Sequence, residues 1–388
     1  MTRRINSIDI VRGLVMVIMA LDHTRDLLHS SSLTESPTNL ATTTPALFFV
    51  RWITHLCAPT FVFLSGVSVY LSMKRSETLS SMSSFLRKRG LWLILLEVTL
   101  INFAIWFDVQ FRMLMFQVIA AIGIGFIVLS FMLKASPKKI GIVAIGIIVL
   151  HNLLPLIPIP QNAVGNAFVN LFFAPGIITV SPNFIIFVSY PWLQWTAIML
   201  LGFSMGKIFE TEAGHRNKTL LWAGLSALAI FVLLRFINIY GDPAPWQTQK
   251  DSLFTFLSFI NVTKYPPSLS YILLFLGIAF LLLRFADKFP SFIRNILLVY
   301  GRVPMFYYLL HFYFIRLATV VMVYAQGFAW KDLAFGPFKL GRPEAGSGIG
   351  LSYVILAWIV LVVLLFPLCK WYGAYKARHP EKTWLKYF

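Results

Sequence analysis

The stretch ALDHTRDLLH, Ala20 to His29, places Asp22, His23, Arg25, Asp26 and His29 at the end of an apolar run that begins at Ile8. An ionisable residue within a membrane-length apolar run costs about 2.5–3.5 kcal/mol even on lenient insertion scales, so it marks a site of function by default. On a helix, Asp9, Arg12, Met16, Met19, His23 and Asp26 share one stripe, and Asp22 and Arg25 form a second i,i+3 pair beside it. Two more histidines, His55 and His311, interrupt other apolar runs. A neutral imidazole held by a carboxylate removes a proton from an incoming amine or hydroxyl, and it can also accept an acyl group itself. The candidate chemistry is therefore group transfer. His23 is the base or acyl carrier, Asp22 or Asp26 its orienting partner, and His55 and His311 position an acceptor. The plainer reading of one such histidine is a hydrogen-bonded packing residue, and it is the gathering of three at one depth that favours a shared site. Zinc is a rival with weaker support: there is no HxxxH or HExxH spacing, and no metal site is expected. GxSxG, P-loop and GxGxxG patterns are also missing, and IGIGF at 122–126 reads as helix packing. His151 is expected at a helix end facing water. Arg25, Arg51 and Arg316 are expected to snorkel from outer helix ends.

The elements that would position these groups are membrane helices. The chain has 388 residues, 58% hydrophobic and 12% charged, with a mean hydropathy of +0.76; soluble domains carry about 25% charged residues. Apolar runs of bilayer-crossing length recur without the period-two alternation of a barrel. The expected architecture is all-α: a polytopic transmembrane bundle of about ten helices forming a single domain over 1–388. The spans fall near 8–28, 46–73, 86–106, 112–133, 138–154, 184–208, 219–239, 268–285, 294–325 and 350–370. With both termini in the cytoplasm, most Lys and Arg residues, including Lys74, Arg75, Arg87, Lys88, Arg89, Lys134, Lys138 and Lys139, fall on the cytoplasmic side. The net charge of +18 is thus mainly topology, and nucleic acid is excluded as a partner for want of a soluble basic domain. On this orientation His23, His55 and His311 come from three helices yet share the outer half of the membrane.

The loops refine the picture. Segments 29–45, 155–183 and 240–267 are outer; the last holds an apolar patch, Leu253 to Ile260, too short to span. The loop 326–349 is Gly-rich and flexible in composition. No outer loop is large enough for a separate binding domain, so any chemistry belongs among the helices or at their outer ends. Cys57 and Cys369 fall within spans and read as buried free thiols. Asp9 and Arg12 interrupt the first apolar run, and no small-residue cleavage pattern follows, so it reads as a retained helix.

Four segments carry a resemblance: SIDIVRGLVMVIMALDHTRDLLH, RWITHLCAPTFVFLSGVSVYLS, NVTKYPPSLSYILL and GRVPMFYYLLHFYFI. Together they resemble bacterial membrane proteins related to heparan-α-glucosaminide N-acetyltransferase. The pattern shared with the eukaryotic enzyme is D-x-x-R-G, here Asp9, Arg12 and Gly13, followed by P-x-F-x-F-x-x-G-x-S, here Pro59, Phe61, Phe63, Gly66 and Ser68. The resemblance implies an enzyme of the bacterial inner membrane that moves an acetyl group from cytoplasmic acetyl-CoA to a sugar amine or hydroxyl at the outer face. Counting from D-x-x-R-G, the family's catalytic asparagine falls on His23, and its catalytic loop histidine falls on Thr34, with His29 the nearest histidine. The chain departs from the enzyme at both positions. Arg12, Arg302, Arg87, Lys88 and Arg89 are the expected contacts for the anionic CoA phosphates. The expected partners are the lipid bilayer and a small-molecule or glycan acceptor, with a homo-oligomer left open. The alternative is a proton-coupled transporter or flippase using the same His/Asp cluster, although the inverted repeats usual for such folds are not seen.

Overall fold

The computed structural model describes residues 5–159, 162–344 and 346–387. In chain order the helices are α1 (Asn6–Leu28), α2 (Pro45–Thr54), α3 (Cys57–Met73), α4 (Leu79–Leu96), α5 (Asn102–Trp106), α6 (Val118–Met132), α7 (Pro137–Leu150), α8 (Ala163–Phe172), α9 (Trp192–Met205), α10 (Ala213–Ile237), α11 (Ser252–Ile260), α12 (Leu269–Phe285), α13 (Ser291–Arg302), α14 (Pro304–Ala325) and α15 (Leu351–Arg378). The strands are β1 (Met113–Phe116), β2 (Gly176–Ser181) and β3 (Phe184–Val188). Helices dominate because lipid offers no partner to backbone N–H and C=O groups, and a helix satisfies them within itself.

Among the described residues, seven helical stretches are long and apolar enough to cross a membrane: Pro45–Met73, Leu79–Trp106, Pro137–Leu156, Ala213–Ile237, Leu269–Lys288, Pro304–Ala325 and Leu351–Arg378. Their outward faces carry large apolar side chains, such as Leu233 and Phe236 on α10 and Val363 and Leu364 on α15. The protein is a multi-pass membrane protein. Where the expectation of about ten spans differs from the structure, local chemistry explains it. α1 is an unbroken helix of 23 residues, but its charges keep it out of the apolar set. The expected spans 112–133 and 184–208 open as strands, leaving helices of 15 and 14 residues. Phe184 to Val188 is a run of aromatic and β-branched residues after the turn Pro182–Asn183, a hairpin pattern. The sheet order is β1-β3-β2, with β2 and β3 antiparallel and Ile178 opposite Ile186.

Two expected spans are broken. In 294–325 the chain turns at Val303 (φ −132°, ψ 49°), and Pro304 starts a new helix; a residue before proline is disfavoured in the α region. In 46–73 the helix opens at His55 and Leu56. Pro59 has no N–H to give the His55 carbonyl four residues back, and its ring crowds that oxygen.

The chain forms two compact units. The first comprises Met1–Cys57, Thr99–Met113 and Ala286–Phe388, and the second Ala58–Val98 and Leu114–Phe285. In the first, α1 is packed on α13, α14 and α15. Its crossing with α13 is backbone on backbone: a Cβ at Gly13 would lie 2.0 Å from the Leu297 carbonyl oxygen, and one at Gly301 would lie 1.8 Å from that of Asp9. In the second unit, Gly66 of α3 meets the Met199 carbonyl oxygen and Gly202 of α9 meets that of Phe63, each at 2.0 Å from a built Cβ. Small residues bring membrane helices together in this way because lipid gives no hydrophobic drive for association. The expected packing role of IGIGF matches the contact of Gly123 with the Gly90 carbonyl oxygen.

Candidate functional site

The α1–α13 crossing and the break at Val303 together set α14 beside α1, and this brings His311 to His23. His23 Nδ1 lies 2.6 Å from His311 Nε2. The rings are stacked, with centroids 5.0 Å apart, and Phe312 covers the His23 ring at 4.3 Å. His311 is wholly buried, whereas His23 is partly exposed. The tautomers follow from the acceptors. His311 Nδ1 is 3.2 Å from the Tyr307 carbonyl oxygen, which can only accept, so Nδ1 carries the proton and Nε2 accepts. His23 Nδ1–H then donates to His311, and the lone pair of His23 is on Nε2, on the more exposed ring. The arrangement suits a base whose positive charge, once formed, is shared through Nδ1–H with a buried imidazole.

Beside the pair is a cluster of two carboxylates and two guanidiniums. Asp22 Oδ1 accepts from Arg25 at 2.7 Å, Asp22 Oδ2 accepts from Arg51 of α2, and Asp26 accepts from Arg25 at 2.5 Å. Two charges of each sign cancel, which is how the buried pair Asp22 and Arg25 is tolerated. The expectation that Arg25, Arg51 and Arg316 snorkel is corrected. Arg25 and Arg316 are 3% and 4% exposed, and all three are bound within the first unit. Arg316 donates to the carbonyl oxygens of Ala104, Ile105 and Leu340. Ala104 and Ile105 stand in the last turn of α5, whose carbonyls lack intrahelical partners, and the guanidinium supplies them. His55 is buried at the break between α2 and α3, at the end of the helix that carries Arg51.

The loop 326–349, expected to be flexible, is held by a residue that sequence reading passed over. Arg342 is 1% exposed and donates to the carbonyl oxygens of Leu27 and His29, to Ser32 Oγ, and to Ser347. Burial pushes it down to about 10, so it stays charged at neutral pH. It closes the C-terminal end of α1, where Ile349 N–H also donates to the Leu28 carbonyl. The only signal for it was one Arg in a Gly-rich stretch. His29 Nδ1 accepts from Ser31; burial, then the nearby charges of Arg25 and Arg342, hold its pKa below the ordinary value. Thr34 is exposed in the following turn.

The remaining candidates lie elsewhere. Asp9 and Arg12 form an ion pair at 3.1 Å near the start of α1. Arg302 is exposed at the end of α13. Arg87, Lys88 and Arg89 belong to α4 of the second unit; Arg87 reaches Ser83 at 3.0 Å, and Arg89 lies over the Phe126 ring at 5.5 Å. His151, expected to face water, is instead 5% exposed, with Nδ1 2.9 Å from the Ile148 carbonyl oxygen. Cys57 and Cys369 are buried, and neither forms a disulfide among the described residues. Among the described residues, no three His, Cys, Asp or Glu side chains gather as metal ligands would.

No curated protein matches the chain. Residues 4–237, which include His23 and both patterned segments but end before His311, match the family described as heparan-alpha-glucosaminide N-acetyltransferase, catalytic. With more than half of its length matched, and its helices able to span a membrane, the chain belongs to this family of membrane acetyltransferase-like proteins.

Proposed function

We propose that the protein is an acetyl-CoA-dependent acetyltransferase of the bacterial inner membrane, and that its reacting base is His23 backed by His311. The observation that carries this reading is the 2.6 Å bond between the two imidazoles, one partly exposed and one wholly buried. His23 Nε2 takes the proton of an acceptor amine or hydroxyl as that group attacks the thioester carbonyl carbon. The new N–C or O–C bond forms, the C–S bond breaks, and CoA leaves as the thiolate. The positive charge on His23 is stabilised through Nδ1–H by the neutral His311, since a charge-assisted hydrogen bond is about twice as strong as a neutral one. Asp22 and Asp26, neutralised by Arg25 and Arg51, hold the C-terminal turn of α1 in place, and His55 faces the acceptor. Arg12 and Arg302 of the first unit serve the anionic phosphates of CoA on the cytoplasmic side, the side that the distribution of basic residues supports for the termini; Arg87, Lys88 and Arg89 of the second unit are a separate candidate for that contact. The acceptor is a sugar amine or hydroxyl on the opposite face.

Purified protein incubated with labelled acetyl-CoA and an amino sugar tests the reading. Binding of acetyl-CoA, CoA release dependent on the acceptor, and label on the acceptor but not on the protein are the expected results. Stable label on the protein would replace the base by a covalent carrier. Lack of acetyl-CoA binding would overturn the proposal, and the transporter reading would then take its place.

A further inference from the structure

The second unit contains a cavity of about 570 Å³ that the acetyl-transfer reading does not use. It lies where the ends of α7, α9 and α10 meet the long loops, and none of its lining residues belongs to the first unit. Its size is in the range of small-molecule sites, about 300–1,000 Å³. Two charged residues, the half-buried Asp242 in the lining and the buried Arg235 behind it, are bonded within the protein. Asp242 accepts from Thr263 N–H and Oγ1–H at 2.9 Å, Ser268 Oγ–H at 2.6 Å and Ala244 N–H at 3.0 Å. Arg235 donates to the carbonyl oxygens of Phe259, Ser258 and Ala244. These bonds pin the 238–268 loop to α10 and fix the shape of the wall.

The lining chemistry selects a ligand. No Lys or Arg is among the described residues that line the cavity, so no fixed cation there matches a phosphate or carboxylate; the lining histidine, His151, is buried with Nδ1 against the Ile148 carbonyl. The walls are largely apolar, with Phe173, Ile157, Pro245 and Pro266 offering flat surfaces to C–H groups. Gln194, 1% exposed, donates from Nε2 to the Phe173 carbonyl at 2.8 Å. Its Oε1 is buried with no hydrogen-bond partner among the described residues. An unmet buried acceptor costs about 1–3 kcal/mol, and a ligand hydroxyl removes that cost.

We propose that this cavity is a binding site for a neutral, hydroxyl-bearing ligand of the glycoside class, with its C–H face against Phe173 and the prolines and a hydroxyl donating to Gln194 Oε1. The site is separate from the histidine pair and stands whether or not that pair transfers acetyl groups. A free sugar and a glycolipid headgroup share this chemistry, and two probes tell them apart. Protein in phosphatidylcholine nanodiscs, prepared without glycoside detergent, is titrated with methyl β-glucoside and with octyl β-glucoside below its micelle concentration, using saturation-transfer NMR. Octyl phosphate is added as competitor.

The expected result is glycoside binding that octyl phosphate does not displace and that weakens at least tenfold in Gln194→Leu. Because Gln194 also holds the Phe173 carbonyl, Ala174→Trp, which fills the cavity and leaves the Gln194 side chain unchanged, is the second variant; it should weaken binding by the same factor. Binding of both glycosides identifies a sugar site, and binding of the octyl compound alone identifies a glycolipid headgroup site. No glycoside binding, equal binding by wild type and Ala174→Trp, or displacement by octyl phosphate would overturn the proposal.

Discussion

In the first unit, Gly13 and Gly301 let α1 and α13 touch backbone to backbone; in the second, Gly66 and Gly202 do the same for α3 and α9. The steric device is shared and the polar surroundings are not. Next to the first crossing, α14 presents His311 to His23, and four charges of cancelling sign stand beside the pair. Near the loops of the second unit, Arg235 and Asp242 are bound to backbone and hydroxyl groups, and Gln194 offers a neutral acceptor to a cavity. The difference separates architecture from chemistry within the family patterns. The glycines of D-x-x-R-G and of P-x-F-x-F-x-x-G-x-S are there for close approach, and Ser68 bonds back to the Leu64 carbonyl at 2.7 Å. The reactive groups lie outside those glycine positions, one to three turns along the same helix or on α14.

The contrast can be broken at several levels. The largest effect is expected from His23→Ala: loss of a positioned base should lower acceptor-dependent CoA release by roughly 10²–10⁴-fold while acetyl-CoA binding is retained. Removing one buried cation, as in Arg25→Met, leaves the Asp22 and Asp26 carboxylates undercompensated and should destabilise the protein by about 3 kcal/mol, read as a lowered melting temperature in detergent. Gly13→Ala and Gly66→Ala each force two backbones apart and should each cost about 1–3 kcal/mol. The comparison sharpens in their kinetics: Gly13→Ala should also lower turnover per folded molecule, because it shifts α13 and with it the start of α14. Equal loss of turnover in both variants would erase the distinction between the units.

The smallest effect concerns pH. His29 has its pKa held below the ordinary 6.5, so as pH falls from about 7 towards 5 the unfolded chain takes up a proton that the folded chain resists. Stability should therefore fall on the acid side, and His29→Gln should flatten that limb of the melting-temperature profile. An unchanged acid limb would remove His29 from the account.

The sequence exposed much of this arrangement and hid a definite part. The apolar runs, the stripe from Asp9 to Asp26 and the common depth of His23 and His311 were legible because helical period and bilayer thickness convert directly into position. Pro304 and Pro59 carry the signal for the breaks at Val303 and at His55, but both runs read as continuous spans. The strand Phe184 to Val188 was hidden because an apolar run of aromatic and β-branched residues looks the same in a helix and in a hairpin. Arginine was the residue type most misread. Arg25 keeps the i,i+3 partner that the sequence shows, Asp22, but Arg316 and Arg342 are buried against carbonyl oxygens from distant parts of the chain, and no local pattern announces such partners. His151 was misread for the same reason, since it lines a cavity together with residues of the 238–245 stretch, far along the chain.

The central claim is that His23 and His311 act as one unit, and a double-mutant cycle on turnover tests it most directly. CoA release is measured for wild type, His23→Ala, His311→Ala and the double variant, with folded protein quantified in each. A coupled pair predicts that the double variant is no slower than His23→Ala alone, because the second imidazole acts only through the first. Multiplicative losses, or full activity in His311→Ala, would contradict the account.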